Sequence, residues 1–144
     1  MMEEKEKAWK TVSSKYLFRR PWLTVRCEDM LLPNGNHIPE YYILEYPDWV
    51  NTIAITKDGK FVFVRQYRPR LGRTSYELCA GVCDKEDASP LVSAQRELWE
   101  ETGYGKGNWQ EYMVISANPS THTNLTHCFL ALSLIHISEP TRRS

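Results

Sequence analysis

One helix with both of its ends marked stands in a chain that otherwise reads as strands, and it limits the fold more than any other feature. Ser89 offers an N-cap, Pro90 suits the first helical position, where no amide donor is needed, and Gly103 offers a left-handed C-cap, bounding a helix over residues 91–102. Leu91, Ala94 and Leu98 recur at helical spacing as an inward stripe, while Glu97, Glu100 and Glu101 share a different face. Before Gly81 the pattern is all strand. Residues 16–19 and 23–32 are rich in aromatic and β-branched side chains, and Pro33-Asn34-Gly35-Asn36 has the chemistry to turn the chain back into residues 41–44. A second hairpin pairs residues 49–56 with 60–66 around Lys57-Asp58-Gly59, where Asp-Gly supplies the positive φ of a tight turn. In it Phe61, Phe63 and Arg65 alternate with Val62, Val64 and Gln66, as in a strand with one face more buried. Residues 110–116 and 126–131 read as two further strands separated by the polar loop 117–125, so the class is α/β.

A chain of 144 residues with 42% hydrophobic side chains can build one packed core. Its 18 basic residues balance 18 acidic ones, which argues against a nucleic-acid binder. The alternating charges of the N-terminus lead into no apolar run, and no stretch approaches the ~18 apolar residues of a membrane span. The expected compartment is the cytoplasm. Cys27, Cys79, Cys83 and Cys128 include no Cys-x-x-Cys pair and read as free, mostly buried thiols; the spacing to His122 and His127 is far longer than in a zinc finger. Asn124-Leu125-Thr126 matches a glycosylation acceptor, a triplet frequent by chance and without meaning in the cytosol.

Three carboxylates on one helical face repel each other by roughly a few tenths of a kcal/mol per pair. They also lie near the negative end of the helix dipole. A divalent cation would offset both costs, since Mg²⁺ takes oxygen ligands and commonly combines carboxylates with substrate phosphates. An isolated Glu-x-x-Glu-Glu is ordinarily just a solvated face; the surrounding string changes that. Gly81 followed by Arg96-Glu97-Leu98-Trp99-Glu100-Glu101-Thr102-Gly103-Tyr104 closely resembles the signature of the Nudix hydrolases: Gly, five residues, Glu, seven residues, then Arg-Glu-apolar-x-Glu-Glu-x-Gly-apolar. The second half matches at every specified position. The first half is one residue longer, with 14 residues between Gly81 and Arg96 instead of 13, so the lone Glu of the pattern maps to Glu86 by residue type or to Asp87 by spacing. Glu86 is favoured, with the extra residue absorbed in the loop before the helix.

The resemblance implies a Nudix fold, a mixed β-sheet with the signature loop-helix packed beside it. It implies a Mg²⁺ site, with Mn²⁺ as the alternative, built from Glu97, Glu100, Glu101 and the backbone carbonyl of Ala80. Arg96 would orient the carboxylates, and Gly81, Glu86 and Gly103 would support the loop-helix geometry. The reaction implied is hydrolysis of a diphosphate linked to another moiety. Gln66-Tyr67-Arg68-Pro69 and Tyr76-Glu77-Leu78-Cys79-Ala80-Gly81 resemble segments of the ADP-ribose pyrophosphatase branch, with Cys79 where that branch usually has proline. Pro119 lies near that branch's marker proline. The implied substrate is a nucleoside diphosphate sugar, foremost ADP-ribose, cleaved to AMP and ribose 5-phosphate. Arg68 and Glu77 would then contact substrate, and an aromatic such as Trp22, Phe18 or Trp49 could stack on the base, although core or dimer packing is the more ordinary role for large aromatics. His122 lies in a loop that faces the site in the family; a plain loop histidine is the more ordinary reading, and His127 reads as structural. The branch further implies a homodimer. The rival from another class is a non-catalytic module that senses a nucleotide sugar, and a third reading is an inactive truncated fragment.

From Leu132 the chain runs Leu-Ser-Leu-Ile-His-Ile-Ser-Glu-Pro-Thr-Arg-Arg-Ser, which closely resembles the in-frame translation of a transposase-type sequencing-library adapter. The expected organisation is an N-terminal extension over 1–15, a Nudix domain over 16–131 that is incomplete at its C-terminus and so lacks the loop that would carry the catalytic base, and a non-native tail over 132–144. The tail's partial alternation still allows Leu132 to Ile137 to pair as a strand.

Overall fold

The computed structural model describes residues 7–139; the rest of the expected N-terminal extension and of the tail lies outside the described residues. The chain divides into two compact units, Met1–Tyr46 with Asn118–Thr123 and Pro47–Ala117 with Asn124–Ser144.

The first unit is an antiparallel meander of β1 (Lys10–Arg20), β2 (Leu23–Leu31) and β3 (His37–Glu45), in that spatial order. β1 begins at Lys10, so residues 10–15, expected to be an extension, are strand. The predicted turn joins β2 to β3: Gly35 takes φ 86°, and the Asn34 side chain accepts from the Asn36 amide at 3.0 Å. Arg26 binds Glu28 at 2.7 Å and also Glu45, which accepts from the Tyr16 hydroxyl. Loop 118–123 docks on β3 through Leu44, whose amide donates to the Thr121 carbonyl at 2.8 Å and whose carbonyl accepts from Thr123.

In the second unit the central strand is β4 (Trp49–Thr56), and its perfect alternation buries Val50, Thr52, Ala54 and Thr56. It is followed by β5 (Phe61–Val62), the hairpin β6 (Val64–Arg68) and β7 (Arg73–Glu77), β8 (Cys79–Val82), α1 (Pro90–Thr102), β9 (Tyr104–Gly105), β10 (Asn108–Ile115) and β11 (Thr126–His136). β4 pairs in parallel with β11 along one edge and antiparallel with β5 and β8 along the other, and β10 pairs antiparallel with β11. The sheet is mixed, as expected for the α/β class. The Asp58-Gly59 turn forms with Gly59 at φ 82° and the Thr56 hydroxyl accepting from the Lys60 amide at 3.0 Å. The predicted strand over 60–66 is interrupted at Phe63: its first part stays on β4, and from Val64 the chain leaves to pair with β7. The expected alternation survives the break, since Phe61, Phe63 and Arg65 are exposed and Val64 is buried.

Two apolar clusters hold α1 to the sheet. Leu98 packs with Ala54, Val64, Cys79, Ala131 and Leu134, and Ala94 packs with Val50 and Phe129, with Leu91 alongside. β11 continues without a stop through the expected end of the domain at Ala131. A bulge at 132–133, with Ser133 at φ 57°, shifts the register by one residue and turns Leu134 into the core at 1% exposure. Leu134→Ala is expected to cost about 2–5 kcal/mol in urea unfolding, as for other buried leucines; a loss under about 0.5 kcal/mol would show that the strand beyond Ala131 is not packed in solution.

Candidate active site

The end of β8, the loop 83–89 and α1 form one tight unit. Ser89 is extended and its hydroxyl accepts from the Val92 amide at 3.3 Å, Pro90 opens the helix, and Gly103 closes it at φ 76° with its amide donating to the Trp99 carbonyl. The helix therefore starts and stops where its caps place it. Its inward face differs from the expected one. Glu97 joins Ser93, Ala94 and Leu98 as a buried residue at 4% exposure, whereas Glu100 and Glu101 are half-buried, so the three glutamates do not share one solvent-facing stripe. The space for Glu97 comes from Gly81. A Cβ at that position would lie 2.2 Å from Glu97 Cδ, so only glycine lets the β8 backbone lie flat against this carboxylate.

Arg96 ties the unit together. Its guanidinium donates to Asp87 Oδ2 at 2.9 Å, to the Val82 carbonyl at 3.1 Å and to Glu97 Oε1 at 3.0 Å, and it lies 3.1 Å from Asp84 and 3.5 Å from Glu100 Oε2. Part of the repulsion among the helix carboxylates is thus offset within the protein. The bonds to Asp87 first, then to Glu97, drive the Arg96 pKa well above its ordinary value. Asp87 is held below the usual aspartate value, chiefly by Arg96 and then by the Ser93 hydroxyl, which donates to it at 2.7 Å. This corrects the favoured sequence reading: the acidic partner of Arg96 is Asp87, and Glu86 is exposed. The spacing from Gly81 was the better guide than residue type, because the loop geometry fixes which position meets the guanidinium.

A depressed carboxyl pKa adds stability that is fully present above the unfolded-state value near 3.8 and is lost as pH falls through the lower folded value. Asp87→Asn is therefore expected to lower Tm at pH 7 by roughly 4 °C, the size of a loss of about 1 kcal/mol for a part-buried charged pair. The gap to the parent should narrow as pH falls below the unfolded-state value near 3.8 and close once it has passed the lower folded value, where both chains carry a neutral group. A gap that persists unchanged in acid would assign the loss to shape rather than charge.

The Glu101 carboxylate accepts from the buried Cys79 thiol, with Sγ 3.2 Å from Oε2. All four cysteines are free, and Cys79 and Cys128 are buried. Ala80, whose carbonyl was expected to join the metal ligands, follows directly in β8. Among the described residues no group of three or more His, Cys, Asp and Glu side chains stands in metal-holding geometry. The donor types still suit a hard divalent cation, since α1 carries carboxylate oxygens and β8 carbonyl oxygens, with Glu97 packed directly against Gly81.

Arg68 on β6 and Glu77 on β7, both expected to contact substrate, form a two-bond ion pair with each other, one bond from Nε to Oε1 at 2.8 Å. Arg68 is raised and Glu77 lowered, each first by this bond, and the Glu101 charge adds to the effect on Arg68. Trp22 lies in the other unit, 88% exposed at the turn between β1 and β2, and Phe18 is exposed on β1. Trp49 is half-buried at the start of β4. His122 stacks edge-on against Tyr46 at 5.0 Å between centroids. His127 lies between Asp48 at 3.0 Å and Glu111 at 3.5 Å, a bridging place that sequence reasoning did not supply because Asp48 lies 79 residues away along the chain. No helix among the described residues is long and apolar enough to cross a membrane.

Comparison with known proteins gives the following. Residues 46–140 match the NUDIX domain model, and residues 9–44 match the nucleoside diphosphate sugar hydrolase N-terminal domain. The chain is 33% identical to an ADP-ribose pyrophosphatase of Bacillus subtilis (strain 168) over 90% of its own length and 69% of the relative's. It is also 33% identical to a methanol dehydrogenase activator of Bacillus methanolicus, over 87% of this chain and 66% of that one. It therefore spans about two thirds of the length of these curated relatives. A crystal structure of an ADP compounds hydrolase superposes with a TM-score of 0.83 at 21% identity, covering 98% of this chain and 76% of the other, a likeness of fold. With the NUDIX model matched over more than half of its residues, the chain belongs to the Nudix hydrolase family.

Proposed function

We propose that the chain is a metal-dependent pyrophosphatase of nucleoside diphosphate sugars, cleaving ADP-ribose to AMP and ribose 5-phosphate. The observation that carries this reading is the placement of Glu97 and Glu100 on Arg96, with Glu97 packed against Gly81. Glu97, Glu100, Glu101 and the Ala80 carbonyl would hold Mg²⁺, or Mn²⁺ in its place. A cation held there would supply charge to neutralise phosphate oxygens and to activate water for attack. Arg96, fixed by Asp87, holds Glu97 in its buried position. Arg68 binds the diphosphate by charge-assisted bonds, with Glu77 keeping its guanidinium in place between turnovers. Trp22 has a ring face open for stacking on a nucleobase. A homodimer and a cytoplasmic location complete the proposal.

AMP release from ADP-ribose, measured by ion-exchange chromatography with Mg²⁺, with Mn²⁺ and with EDTA, tests it. Release with either metal and none with EDTA is expected; release that EDTA leaves unchanged would overturn the metal assignment. The similarity to a protein named as an activator supports a second reading, a module that binds a nucleotide sugar and acts on a partner. It predicts a rise in Tm with ADP-ribose and no AMP. The adapter reading of residues 132–144 stands beside these proposals, and the DNA just downstream of the Ala131 codon decides it. If that DNA encodes a longer native chain, its AMP release should be compared with that of the present one.

A further inference from the structure

We propose that Cys79 is a positioning residue for Glu101, its thiol fixing the carboxylate for metal binding; this rests on the proposed role of Glu101 as a ligand. Cys79 is 1% exposed, at the start of β8, one residue before Ala80 and two before Gly81. Its backbone is pinned by pairing with Thr52 of β4, and its side chain packs with Leu98 one turn back along α1 from Glu101. From this fixed place the thiol donates to Glu101 Oε2 at 3.2 Å. Burial between strand and helix leaves the sulfur little freedom to turn elsewhere, so the bond favours one orientation of a side chain on the last turn of the helix. Oε2 is the atom that the thiol holds. Partners of this kind, which hold a ligand rather than the ion, typically change metal affinity by about 10–100-fold when removed.

The same contact could be mere core packing, and the two roles rank substitutions in opposite order. For packing alone, Cys79→Ala should be tolerated better than Cys79→Ser, because a hydroxyl enters an apolar cluster. For positioning, serine keeps a donor and alanine does not. Titration of the 144-residue chain with Mn²⁺, followed by the electron paramagnetic resonance signal of the free ion, reads affinity without turnover. The expected result is a Kd about tenfold higher for Cys79→Ala and within about threefold of the parent for Cys79→Ser, with thermal unfolding in EDTA ranking serine at or below alanine. Equal affinities for Cys79→Ala and the parent, alongside a weakened Glu101→Gln, would overturn the positioning role while leaving Glu101 a ligand. Serine binding as weakly as alanine would overturn it as well. Unchanged affinity in Glu101→Gln would overturn the ligand assignment itself and this inference with it.

Discussion

Replacing Glu100 and Glu101 together by Gln is expected to lower AMP release from ADP-ribose by about 10³-fold or more while the chain stays folded. Removing one well-placed electrostatic contact from a reacting centre typically costs ~10²–10³ in kcat, and here two carboxylate charges are lost together. Both residues are half-buried on the last turns of α1, outside the apolar clusters that hold the helix to the sheet. Glutamine keeps their volume and removes like charges near the negative end of the helix dipole, so Tm should hold or rise slightly. Loss of turnover with Tm retained would separate chemistry from folding. Turnover within a few-fold of the parent would sink the assignment of these glutamates.

Gly81→Ala should have the second largest effect, and through a residue that carries no reactive group. The added methyl would lie 2.2 Å from Cδ of Glu97 and 2.5 Å from its Cγ and Oε1. Glu97 cannot yield easily, because it is buried at 4% and held by Arg96, whose other bonds run to Asp87 and the Val82 carbonyl. Either β8 moves away from α1 or the carboxylate swings out of place. A displacement of ~1 Å at a reacting centre commonly costs about 10²-fold in rate, and that loss is expected here with about 1–3 kcal/mol of stability. Shortening the facing side chain in the Gly81→Ala, Glu97→Asp pair should restore part of the stability but not the rate. A single Gly81→Ala chain with parental turnover would mean that the close approach of strand and helix is not used in catalysis.

How far the residues announce such a site depends on whether its determinants are local. The limits of α1 were readable because Ser89, Pro90 and Gly103 each act on the backbone within a turn of themselves. The Asp58-Gly59 turn was readable for the same reason. Glu97 was not readable as buried: its neighbours Glu100 and Glu101 suggest a solvated face, and only the missing side chain at Gly81, on another element, makes an inward carboxylate possible. The choice of Asp87 over Glu86 depends on where loop 83–89 delivers each side chain to Arg96, which residue type alone does not encode. The break at Phe63 was hidden because alternation runs unbroken through it while the pairing partner changes from β4 to β7. Strand β7, Arg-Thr-Ser-Tyr-Glu, is almost wholly polar or exposed and so carries little strand signal of its own.

The parallel ladder between β4 and β11 also sets an order of events during synthesis. Asp48 at the foot of β4 accepts from the Leu125 amide, 77 residues further along, and every rung of the ladder above it closes a loop of similar size. Closing such loops is slow relative to local hairpins and helices, so the β5-side turn and α1 can form early while the central strand waits for its partner. Until the segment carrying Phe129, Ala131 and Leu134 has left the ribosome, Val50 and Ala54 have no second wall to pack against. β11 is therefore the strand that turns a set of local elements into a cooperative domain, and a nascent chain paused before it would present β4 as an open edge to other chains.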